Sequence, residues 1–154
     1  MFFSQLHPFL QQREIVKYCK ENNIVVQAYS PIVQGKMDNP TITALAKKVR
    51  STLTKNVDYN RPMIKTKKYN RDRAQILIRW SLQNGCVLFP FISTCLTLYL
   101  SRSYVPLPKS DTPSRIHSNA NVYDFELAKD DVEKLDALDI GKAGAVGWNP
   151  VDSP

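Results

Sequence analysis

Three cysteines in 154 residues, Cys19, Cys86 and Cys95, form no CxxC pair and no even-numbered set. That excludes a disulfide scaffold and a cysteine zinc site, and it points to a reducing, cytoplasmic setting with no bound metal. No long hydrophobic run is present either. The most apolar stretch, "CVLFPFISTCLTLYL" from Cys86 to Leu100, is interrupted by Pro90 and by Ser93, Thr94 and Thr97, and is shorter than the roughly 20 residues that a membrane span needs. The start "MFFSQLHPFL" lacks the basic flank, apolar core and small-residue cleavage site of a signal peptide. Neither a membrane anchor nor an export signal is expected. The chain also lacks an internal repeat, which sets solenoids aside.

Acidic residues are outnumbered, 14 against 21 basic, for a formal charge of +7. Such an excess invites a nucleic-acid reading. Much of it, however, lies in residues 49–67, where Arg50, Lys55, Arg61, Lys65 and Lys67 face only Asp58. No basic-aromatic platform or recognition helix accompanies the charge, so no nucleic-acid partner is expected.

The chain does carry alternating elements, with an apolar fraction of 43% that suits one globular domain. "QQREIVKYCKENN" sets Ile15, Val16 and Cys19 on one helical face. "IVVQAYSP", Ile24 to Pro31, follows as a β-branched run stopped by Ser-Pro and reads as a buried parallel strand. "NPTITALAKK" predicts a second helix with Pro40 in its first turn. "NRDRAQILIRWSLQNG" predicts a third, started by Asp72 and stopped by Gly85. "VPLP" reads as a strand and "TPSRIHSNANVY" as the helix after it. "AKDDVEKLDAL" is amphipathic through Val132, Leu135 and Leu138, and the glycine-bearing tail from Asp139 reads as an irregular loop. The class is α/β. Two or three strands are too few to close a parallel barrel.

The strand-to-helix turn "VPLPKSDTPSRIHSN" concentrates Lys109, Ser110, Thr112 and Arg115 within seven residues. Two cations and two hydroxyls at a helix start can grip a phosphate dianion through charge, side-chain donors and backbone N–H groups. The same spacing also suits a solvated loop with incidental charge.

Three stretches in order, "QLHPFLQQREIVKYCKENNIVVQAYSPI", "AQILIRWSLQNG" and "VPLPKSDTPSRIHSNANVYDFELAKDDVEKLDALD", resemble the C-terminal half of an aldo-keto reductase. The resemblance implies a partial (β/α)8 TIM barrel over residues 1–154, its C-terminal half only. It also implies an NADPH-dependent oxidoreductase that reduces a small aldehyde or ketone. By the same resemblance Lys109, Ser110, Thr112 and Arg115 hold the 2′-phosphate, Asn119 meets the adenine, and Tyr29 stacks on the nicotinamide. Ser30 and Ile32 then lie by the pyrophosphate, and Trp148 belongs to the substrate pocket. From the residues alone, Tyr29 reads equally as a core tyrosine, and Trp148 as a packed or exposed one. His7 matches a family position with a structural role.

The family's catalytic Asp, Tyr, Lys and His belong to the other half of the barrel, so no catalytic residue is expected here. "MFFSQ" stands where an Asn-Gln-x-Glu pattern is usual, which leaves Phe3 in place of the nicotinamide-amide partner. Two segments, 49–67 and 88–105, interrupt the resemblance, and deleting each restores a family-like run. Both begin at or beside a valine, and they read as insertions of the kind left by short unspliced introns. A non-catalytic binding fragment, or a non-functional product, is the other reading of the chain.

Overall fold

Residues 1–47, 71–84 and 104–147 are described in full in the computed structural model, together with the backbone of 49–53 and 64–68. The run before "LHPFL" is a strand, β1 (Phe2–Gln5), which pairs in parallel with β2 (Val26–Tyr29) in the register Phe2↔Val26 to Gln5↔Tyr29. Parallel neighbours require a crossover, and "REIVKYCKE" supplies it as helix α1 (Arg13–Glu21). Its apolar face buries Val16 and Cys19 against Leu6, Val26, Ala28 and Tyr104.

Helix α2 (Pro40–Lys47) begins with its proline, as expected, but the capping oxygen is that of Asn39, which accepts from the N–H groups of Thr41 and Ile42 at 2.9 and 3.4 Å. Helix α3 (Arg73–Gln83) opens with a capping box. The Asp72 carboxylate accepts from Gln75 N–H at 2.8 Å, while the Gln75 side chain accepts from Asp72 N–H at 3.1 Å. Between these helices the first predicted insertion, with Lys68 just beyond it, forms an antiparallel pair, β3 (Val49–Leu53) with β4 (Ile64–Lys68), separate from the parallel sheet. Arg71 N–H donates to the carbonyl of Ala46 at 3.3 Å, so the chain leaves and re-enters the fold at one place.

The final parallel strand, β5 (Val105–Leu107), adds to β2 through Gln27↔Val105 and Tyr29↔Leu107, giving the order β1-β2-β5. Val105 and the buried Tyr104, both inside the second predicted insertion, are thus accommodated in the sheet and its core. Two short helices complete the fold, α4 (Pro113–Ala120) and α5 (Lys129–Asp136). The larger core joins Ile42 and Leu45 of α2, Ile76, Leu77 and Trp80 of α3, and Leu135 of α5.

The tail is less irregular than its glycines suggest. Gly141–Gly144 forms a single 3₁₀ turn. Beyond it Val146 is tied to β1 by a reciprocal pair, Gln5 Nε2 donating to Val146 O at 2.7 Å and Val146 N–H to Gln5 Oε1 at 2.9 Å.

Strand alternation assigns the sheet's two faces. Phe2 and Ser4 lie on the side of α1, while the cross-strand rows Phe3–Gln27–Val105 and Gln5–Tyr29–Leu107 lie on the other. On that second face Phe3 is 55% exposed, Leu107 40% and Val105 38%. In a closed β/α barrel this is the face that fills the interior with layered side chains.

Candidate functional site

The carboxyl ends of β2 and β5 open onto one cavity of about 840 Å³. Ser30 and Ile32 reach it from the end of β2, and Lys109, Ser110, Arg115 and Asn119 from the end of β5 and helix α4. Six of the eight residues predicted for the cofactor therefore line a single space. Tyr29 does not line it, but pairs in register with Leu107, which does. Burial raises the pKa of the Tyr29 phenol. Thr112, the other absentee, turns away: its hydroxyl donates to Asp111 Oδ1 at 3.3 Å, and its backbone N–H donates to Ser110 Oγ at 3.3 Å. Trp148 lies outside the described residues.

Several wall residues carry no signal in the local motif, because they come from distant elements. Gln34, Gly35 and Met37 follow β2, and Asp72, Arg73 and Ala74 open α3. In the loop after β2, Val33, Gln34 and Gly35 have φ of 52°, 51° and 85°. A left-handed conformation is unusual for a β-branched residue, and Val33 holds it with its side chain buried in the core.

The charges of this cavity divide into spent and available ones. Arg73 is ion-paired with Asp38 and also donates to Met37 O at 3.4 Å. Asp72 is consumed by the α3 cap and by the hydroxyl of Ser118. Lys109 and Arg115 form no ion pair among the described residues. Two cations without an ion pair among the described residues, a hydroxyl and the first turn of α4 thus share one cavity with the carboxylate of Asp111, and the donors fit a phosphate group.

The α3 start also fixes this wall in place. Gln75 Nε2 donates to the carbonyls of Ser118 and Asn121 at 3.0 and 2.9 Å, and Ser118 donates to Asp72. The end of α4 is therefore pinned to the beginning of α3, which sets where Arg115 and Asn119 point.

Phe3, in the place of the expected amide partner, is exposed on β1, while Gln5 two residues on is wholly buried and holds the tail. His7 is fully buried, and neither ring nitrogen finds a hydrogen-bond partner among the described residues. Desolvation lowers its pKa to about 4 against a weaker opposing pull from Asp139. Among the described residues no three His, Cys, Asp or Glu side chains gather as a metal site, and no helix is long and apolar enough to cross a membrane.

Parallel strands with a cavity at their carboxyl ends fit part of a (β/α)8 barrel. The Aldo/keto reductase family model matches residues 3–140, and the chain belongs to that family. It is 36% identical to an oxidoreductase of Schizosaccharomyces pombe over 97% of its own length and 40% of that protein. It is 33% identical to the glyoxal reductase of Bacillus subtilis, over 95% of this chain and 39% of that one. Among solved structures, a Gox0644 mutant in complex with NADPH superposes with a TM-score of 0.69 at 25% identity, over 99% of this chain and 42% of that one. The chain spans about two fifths of the length of the relatives it matches.

Proposed function

We propose that residues 1–154 form the nucleotide-phosphate side of an NADPH-dependent carbonyl reductase acting on a small aldehyde or ketone. One observation carries the reading: Lys109, Ser110, Arg115 and Asn119 converge with Ser30 and Ile32 on a single cavity at the carboxyl ends of β2 and β5. Bound NADPH supplies the hydride that turns a carbonyl into an alcohol. Lys109 and Arg115 neutralise the 2′-phosphate, and Ser110 adds a hydroxyl donor. Asn119 meets the adenine, Ser30 and Ile32 flank the pyrophosphate, and Tyr29 offers a flat face to the nicotinamide. Thr112 supports this wall as the residue before α4 rather than by donating its hydroxyl to phosphate. Trp148 belongs to the substrate pocket, and the cytoplasm is the site of action.

In this reading the family's catalytic Asp, Tyr, Lys and His are carried by other strands of the barrel, and the exposed Phe3, Val105 and Leu107 suit a face that those strands complete. The chain by itself is therefore expected to bind NADPH without turnover. Titration with NADPH, followed by fluorescence, should saturate, and Arg115→Ala should weaken binding about tenfold or more, as expected for loss of a charge-assisted contact. Absence of saturation, or an unchanged affinity in Arg115→Ala, overturns the assignment. Carbonyl-dependent NADPH oxidation by the purified chain overturns its non-catalytic part.

The segments 49–67 and 88–105 are insertions in this reading. For the first, the hydrogen bond between Arg71 and Ala46 supports it, since the flanking helices are already joined without the segment. For the second, Cys86 and Val87 would stand in the places of Tyr104 and Val105 once the segment is removed. Sequencing the mature transcript decides the matter, because a message that retains both segments in frame contradicts their intron origin.

A further inference from the structure

Among the residues lining the cavity, Asp111 is the one whose charge opposes a phosphate and is not spent elsewhere. It lies between Ser110 and Thr112 and lines the same space as Lys109 and Arg115. It forms no ion pair among the described residues, and its one hydrogen bond there is accepted from the neutral hydroxyl of Thr112. Asp72, the other acid on this wall, is bound by the α3 cap and by Ser118, and the cation Arg73 is held by Asp38. The local balance is thus set by two free cations and one free carboxylate.

These groups have opposite preferences. A guanidinium and an ammonium favour a ribose 2′-phosphate. A carboxylate repels that phosphate but is a good acceptor for a ribose 2′-hydroxyl, the device by which nucleotide sites choose NAD over NADP. Asp111 also engages the hydroxyl of Thr112, which removes a donor that would otherwise serve the phosphate. We propose that Asp111 is a specificity-determining residue that narrows the preference for NADPH over NADH, so that this site takes both nucleotides. The inference rests on the nucleotide-site reading above.

The test uses the full 154-residue chain, its Asp111→Asn and Asp111→Ser variants, and the Arg115→Ala variant. Each is titrated at one fixed ionic strength with NADPH, NADH and the fragment 2′,5′-ADP. Both Asp111 variants should bind NADPH and 2′,5′-ADP about three- to tenfold more tightly, with NADH unchanged or weaker, because only the 2′-phosphate gains from removal of a like charge. Asp111 is exposed and its side chain makes a single hydrogen bond among the described residues, so folding should be retained, and the second variant guards against an effect peculiar to asparagine. Equal changes for both dinucleotides, or no change for either, overturn the role of Asp111 even when Arg115→Ala weakens NADPH. If no form of the chain binds any of the three, the nucleotide-site reading fails and this inference fails with it.

Discussion

His7 couples stability to mildly acidic pH. Its ring is fully buried and finds no hydrogen-bond partner among the described residues, and desolvation lowers its pKa from 6.5 to about 4. In the unfolded chain the imidazole binds its proton near pH 6.5, whereas the folded chain resists protonation until about pH 4. Between those values the unfolded state holds more protons, so stability is full above pH 6.5 and falls as the pH is lowered toward 4. The gap corresponds to about 3 kcal/mol in all, of which about 2 kcal/mol is lost between pH 7.5 and pH 5. Asp139, which pulls the other way, is already included in that shift. Urea unfolding of the chain at pH 7.5, 6 and 5 should show this fall. His7→Leu, which replaces two unpaired buried nitrogens by an apolar group, should lie within about 1 kcal/mol of the parent at pH 7.5 and overtake it at pH 5. Parallel pH curves for the two proteins would refute the reasoning.

Gly144→Ala should destabilise the chain by about 2–3 kcal/mol. An added Cβ would come within 1.9 Å of the Phe9 carbonyl oxygen and 2.6 Å of its carbon, and that carbonyl is already held by Ile140 N–H at 3.1 Å. Urea unfolding checks it, and a loss below about 0.5 kcal/mol would show that the 3₁₀ turn yields more easily than its contacts imply. Asp72→Ala removes both the α3 cap and the acceptor for Ser118, and should cost about 1–2 kcal/mol by thermal or urea unfolding. Asp72→Asn should recover most of that loss, and failure to do so would mean that the carboxylate charge, rather than the cap, is what matters.

Legibility followed the range of the forces involved. The α3 start could be read at Asp72 because a capping box closes within four residues. The α1 stripe of Val16 and Cys19 was equally local. Strand β1 could not be read from composition, since "FFSQ" is short and shows no clean alternation. What makes it a strand is pairing with residues twenty-four positions away, Phe2 with Val26. The pair β3–β4 was unforeseen for a related reason. The segment 49–67 reads as an insertion, and that reading does not decide whether "VRSTL" and "IKTKK" form a ladder with each other.

The candidate site divides along the same line. Lys109, Ser110, Arg115 and Asn119 were accessible because one strand-to-helix turn carries them all. Arg73 and Asp72 were not, because they enter the wall from α3. Thr112 marks the boundary between the two cases. The family resemblance assigns its hydroxyl to phosphate, yet whether it faces the cavity or its neighbour depends on the backbone before α4, where φ is −94° and ψ is 117°, and on the acid beside it. Asp111 therefore acts twice, by adding a negative charge to the wall and by engaging the hydroxyl of Thr112. Substituting it in the parent tests the two effects together, whereas substituting it in a Thr112→Val background, where no hydroxyl can be released, separates them. A gain in NADPH preference that persists in that background assigns the effect to charge, and one that vanishes there assigns it to the released donor.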